Sequence, residues 1–98
     1  MSDTYRVIIS PQAVEDLIRI LDEVAKQSPQ NAVKAIDRLV IELNSLAEFP
    51  RRYAVIEDAT VPFDVRRMPI PPFRALYRVI EQHRTVEILT VRHGRQKS

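Results

Sequence analysis

The sequence predicts an α+β fold: an N-terminal strand, an antiparallel two-helix hairpin, then a three-stranded antiparallel meander, with the helices covering one face of the sheet. Three observations carry this reading. Two Ser-Pro pairs, Ser10-Pro11 and Ser28-Pro29, each open a run whose apolar residues recur three or four apart. Strand-like segments follow one another after residue 62, with no helical period between them. The chain has 98 residues, 45% apolar and 29% charged, which suits one compact domain spanning 1–98 and argues against a disordered chain.

Taken in order, Thr4 to Ile9 alternates and is rich in β-branched residues, so it is expected to be a strand. Ser10 can accept from the first free N–H groups of a helix, and Pro11 suits a position that needs no donor. Glu15 and Asp16 fall early in that helix, where its dipole favours acids. Its expected apolar stripe is Val14, Leu17, Ile18, Leu21, Val24 and Ala25. Ser28-Pro29 ends this helix and starts the next, whose stripe is Ala32, Ile36, Leu39, Val40, Leu43 and Leu46, up to Phe49-Pro50. So short a connection implies an antiparallel hairpin. Arg51 to Pro62 shows no period and is expected to be a loop. Phe63 to Ile70 reads as a strand whose prolines, Pro69, Pro71 and Pro72, demand an edge or a turn. Arg74 to Ile80 and Thr85 to Arg92 are the clearest strands, joined by a four-residue hairpin loop from Glu81 to Arg84.

Composition excludes several chemistries. There is no cysteine, hence no disulfide, thiolate metal site or Cys nucleophile. No run approaches the roughly 18 apolar residues of a membrane span, and residues 1–6 lack the pattern of a secretory signal, so a cytoplasmic protein is expected. No Gly-rich phosphate loop, nucleophile elbow or HExxH motif is present. Asp22-Glu23 and Glu57-Asp58 are sequence neighbours and poor candidates for a catalytic dyad. The two histidines have no carboxylate cluster beside them, so neither a metal nor a cofactor is expected. Charge is uneven: residues 1–49 hold five Lys/Arg against eight Asp/Glu, whereas residues 50–98 hold ten against five. The second half therefore suits a polyanion or an acidic partner, or is simply a solvated basic surface.

Parity divides the strand that begins near residue 73. Phe73, Ala75, Tyr77 and Val79 are expected to face the core, with Arg74 and Arg78 on the open side, joined there by Arg66. Arg92, His93 and Arg95 gather where the last strand ends. Guanidinium groups hold phosphates or carboxylates through paired hydrogen bonds and stay charged. The alternative is internal pairing, for which Glu87 and Asp64 are at hand. His93 is a candidate general base or an exposed side chain near the chain end. His83 falls in the hairpin loop and is expected to face solvent.

Several segments resemble the RelE/ParE toxins of type II toxin–antitoxin systems. Phe73-Arg74-Ala75-Leu76-Tyr77-Arg78-Val79-Ile80 is similar to their xRxxYxV strand. Val91-Arg92-His93-Gly94-Arg95 is similar to their VxHGR tail, and Ser10-Pro11-Gln12-Ala13 with Asp16-Leu17 to their S-x-x-A-x-x-D-L opening. Phe49-Pro50 matches the close of their second helix, so the likeness covers nearly the whole chain in order.

The resemblance implies a growth-inhibiting toxin, of the plasmid-stabilising kind, neutralised by a cognate antitoxin. The acidic side chains of that partner would meet Arg66, Arg74, Arg78 and Arg92, and its apolar residues would fill a groove bordered by Ile20 and Val33. ParE-like members inhibit DNA gyrase; RelE-like members cut mRNA on the ribosome. For a metal-independent nuclease, Arg74 would contact phosphate, Arg92 or Arg95 would supply the basic group near the last strand, and His93 would titrate. The C-terminal tyrosine of such nucleases has no counterpart in Gln96-Lys97-Ser98, and the loop before the second strand has Arg51 and Arg52 but no lysine. The His-Gly-Arg ending is closer to the ParE side, so gyrase inhibition is the favoured expectation. A member that has lost toxicity is the third possibility.

Overall fold

The structure, a computed structural model, describes residues 4–57 and 60–94. It has the predicted α+β class. The elements are β1 (Arg6–Ile9), α1 (Pro11–Ala25), α2 (Pro29–Asn44), β2 (Val55–Ile56), β3 (Val65–Ile70), β4 (Phe73–Ile80) and β5 (Thr85–His93). The strands form one mixed sheet in the order β1-β5-β4-β3-β2. β3, β4 and β5 are the expected antiparallel meander. β1 lies along the outer side of β5 and runs parallel to it, from Arg6 opposite Thr85 to Ile9 opposite Ile88.

Both helices start as their Ser-Pro pairs require. Ser10 Oγ accepts from the Ala13 N–H at 3.1 Å, and Ser28 Oγ from the Asn31 N–H at 3.2 Å. α1 turns Ala13, Asp16 and Ile20 inward; α2 turns Ala32, Leu39 and Leu43. Of these, Ala13, Ile20, Leu39 and Leu43 form one core cluster with Met68, Ile70, Ala75, Tyr77, Val86, Ile88 and Val91 from the sheet. A fully buried Leu such as Leu39, Leu43 or Leu46 stabilises the fold by roughly 1.5–3 kcal/mol relative to leaving it exposed. Tyr77 is fully buried, and its hydroxyl finds the partner it needs by donating to the Pro50 carbonyl at 2.6 Å. That bond ties the segment after α2 to the sheet.

Several local expectations need correction. The inward side of α1 is rotated from the expected stripe: Val14 and Ile18 are 44% and 54% exposed, while Ile20 is 7% exposed, belongs to the core and also lines a hollow beside the helix. Asp16 takes an inward position because it is fully hydrogen-bonded there. α2 ends at Asn44, and a 3-10 turn, Ser45–Ala47, carries Leu46 inward. The expected loop 51–62 contains β2, which pairs Val55 with Arg66 and Ile56 with Val65. Two residues are too few to show a period.

The β4–β5 ladder also shifts register. Tyr77 opposes Ile88 but Leu76 opposes Thr90, so Leu89 has no counterpart on β4. One extra residue reverses the facing of everything after it. Val86 and Ile88 point into the core; beyond the bulge Val91 does. Arg92 is thereby placed opposite Arg74 instead of among the core residues.

Candidate functional site

Residues directly opposite in a ladder share a face of the sheet. Arg74 opposes Arg92 and Pro69, Arg78 opposes Glu87, and Arg67 opposes Leu76. The side of the sheet away from the core thus carries Arg67, Arg74, Arg78 and Arg92. Arg67 is a site residue that the sequence reading missed.

Arg66 is not among them. It opposes Tyr77, a core residue, and so lies on the helix side of the sheet. Its guanidinium donates to the Tyr53 carbonyl at 2.6 Å and the Arg51 carbonyl at 3.2 Å, which pins the segment before β2. The physical cause is the phase of β3: Met68 and Ile70 are core residues, and Arg66 shares their parity. That spacing was the signal available in the sequence.

Arg78 and Arg92 have different surroundings. Arg78 Nε donates to Glu87 Oε1 at 2.7 Å, and its guanidinium lies over the Phe63 ring, 4.3 Å from the centroid. Its charge is met by a carboxylate across the strands and by an aromatic face. Arg92 Nε donates instead to a neutral group, the Thr90 hydroxyl, at 3.3 Å. Arg92 stands directly opposite Arg74, and like charges in that relation repel.

Two hollows flank these side chains. A depression of about 640 Å³ is lined by Arg67, Arg74, Pro69, Tyr53, Ile56 and Gly94, among others. A more enclosed pocket of about 270 Å³ lies between α1 and the end of β5; Asp16, Arg19, Glu23, Phe73, Arg92 and His93 are among its lining residues. His93 opposes Phe73 and packs edge-on against its ring at 5.7 Å. It therefore stands across the sheet from Arg74, although it shares the α1 pocket with Arg92. Arg95 lies outside the described residues. Among the described residues no group of three His, Asp or Glu could hold a metal ion. No helix among them is long and apolar enough to cross a membrane.

The fold of two helices on one side of a small mixed sheet is shared with solved structures of toxins from toxin–antitoxin systems. A chain of the chromosomal ParDE system from P. aeruginosa is 25% identical, with a TM-score of 0.74 over 94% of this chain and 98% of that one. The archaeal RelE–RelB complex from Pyrococcus horikoshii contains a chain 24% identical, with a TM-score of 0.63 over 95% and 99%. A free mutant of E. coli RelE, 16% identical, gives 0.65 over 94% and 85%. No curated protein sequence matches the chain. The family described as ParE toxin of type II toxin–antitoxin system, parDE, matches residues 7–98, and the chain belongs to it.

Proposed function

We propose that this chain, acting in the cytoplasm as one domain over residues 1–98, arrests growth by inhibiting DNA gyrase and is silenced by a cognate antitoxin that presents an acidic segment. The observation that carries this is the pairing of Arg74 with Arg92 on the face the helices leave uncovered, with Arg67 nearby on the next strand. Two arginines side by side on one face add positive charge and N–H donors to which carboxylates of a partner can make charge-assisted hydrogen bonds. The exposed Val33 on α2 offers an apolar contact to the same partner.

Membership of the ParE toxin family and the likeness to a ParDE chain support gyrase as the target. So does the position of His93. Cleavage of mRNA by 2′-hydroxyl attack needs a base and a phosphate-holding arginine around one phosphodiester. His93 and Arg74 lie on opposite faces of the sheet. One observation favours the nuclease alternative: Arg67 and Arg74 both line a depression large enough for a nucleotide phosphate. Neither reading calls for a metal or cofactor.

Regulated expression of the chain alone, followed by separate supercoiling and translation assays on purified protein, separates the readings. Growth arrest with blocked supercoiling and continuing translation is expected. Cleaved transcripts with normal supercoiling would establish the alternative, and unimpaired growth would remove the toxin reading.

A further inference from the structure

β1 covers β5 for only half its length. Strand pairing stops at Ile9 opposite Ile88, where the chain turns into α1. From that point α1 continues the edge with side chains. The Ser10 N–H donates to the Ile88 carbonyl at 3.0 Å, and the Ser10 hydroxyl to the Leu89 carbonyl at 3.1 Å. Asp16 then accepts the Val91 N–H at 3.0 Å through Oδ2. The same oxygen accepts the Thr90 hydroxyl. Its Oδ1 accepts from Gln12 Nε2 at 2.9 Å and Arg19 Nη1 at 3.2 Å.

Asp16 is only 3% exposed. A buried carboxylate is costly unless its oxygens are satisfied, and here four donors satisfy them. Burial pushes its pKa up, but the bonds from Thr90, Val91, Gln12 and Arg19 together outweigh it and hold the carboxyl below the ordinary value of 3.8. The aspartate is therefore a fixed acceptor at the β5 bulge. Thr90 has a single hydroxyl proton, which goes to Asp16. Its oxygen can then act only as an acceptor toward the Arg92 Nε–H.

We propose that Asp16 and Thr90 are positioning residues for Arg92: Asp16 secures the bulge that turns Arg92 to the side of Arg74, and it sets the polarity of the hydroxyl that holds the Arg92 guanidinium. The biological consequence rests on the reading of Arg92 as a contact residue; the positioning itself does not.

The test is nuclear magnetic resonance on the ¹⁵N-labelled full chain, reading the Nε–Hε signal of Arg92. Thr90→Val keeps the side-chain shape and removes the acceptor. Hydrogen exchange at Arg92 Nε should then rise about fivefold, the factor one ordinary hydrogen bond is worth, while Thr90→Ser restores it. Asp16→Leu removes the oxygen to which Thr90 and Val91 donate while filling similar space, so the Val91 N–H and Arg92 Nε–Hε should both lose protection although Thr90 is intact. If Asp16→Leu does not fold, Thr90→Val and Thr90→Ser still decide the matter. Unchanged exchange at Arg92 in Thr90→Val overturns the proposal. Growth arrest on induction is scored in parallel. If Arg92→Ala arrests growth like the parent while Thr90→Val loosens Arg92, the contact reading fails and the positioning stands.

Discussion

Arg78 and Arg92 belong to neighbouring strands of one sheet and do different work. Arg78 is satisfied from within: Glu87 takes its Nε–H, and Phe63 lies beneath its guanidinium. Arg92 is steered rather than neutralised. Its Nε–H goes to a hydroxyl, and Arg74 faces it across the ladder. The difference teaches that a basic half-chain is not one basic surface. Some of its arginines hold the fold together, and the reading of function rests on the others. Removing the first kind should cost stability, and removing the second should cost activity.

The largest expected effect lies beneath the Arg92 end. Asp16→Ala leaves the buried donors of Thr90 and Val91 without their acceptor, and stability measured by urea denaturation should fall by roughly 3 kcal/mol. Acid should reveal the same group more gently. A carboxyl whose pKa falls on folding adds stability that is fully present above its unfolded value, here 3.8, and that is lost as the pH drops through its lower folded value. Wild type should therefore lose more of its urea resistance below that pH than Asp16→Asn does. An equal loss in both would detach Asp16 from acid stability.

At the other end, Arg78→Ala should cost about 1 kcal/mol in the same urea experiment, since the ion pair is partly exposed and the ring contact modest. Growth arrest on induction should survive it. The smallest stability effect should come from Arg92→Ala, within about 0.5 kcal/mol of the parent, as for a surface change away from ion pairs. Plating after induction should nevertheless show its toxicity weakened. Were Arg92→Ala strongly destabilising and Arg78→Ala the variant that loses toxicity, the comparison would be inverted.

Much of the scaffold was legible because it rests on local chemistry. Ser10-Pro11 and Ser28-Pro29 cap the helices as read, and the Ala75 and Tyr77 parity gives the core side of β4. The differences have several sources. The α1 stripe is rotated because Asp16 is buried by its hydrogen bonds, and Arg66 takes the helix side because it shares the parity of Met68 and Ile70, a spacing present in the sequence. The bulge shows in the sequence only as the step from Ile88 to Val91, where a further alternation would fall on Thr90. Asp16 looked like an acid placed to suit the helix dipole. Its interior position depends on donors more than 70 residues away in the chain, Thr90 and Val91, which a helical reading cannot supply.

The most direct measurement reverses charge at each end and plates cells after induction of the chain alone. Arg74→Glu combined with Arg92→Glu should abolish growth arrest while the purified protein keeps its native circular dichroism. The swap of Arg78→Glu with Glu87→Arg, which exchanges the partners of the internal ion pair, should arrest growth like the parent. Full arrest by the Arg74/Arg92 variant, or its loss in the folded Arg78/Glu87 swap, would contradict the assignment of the working surface.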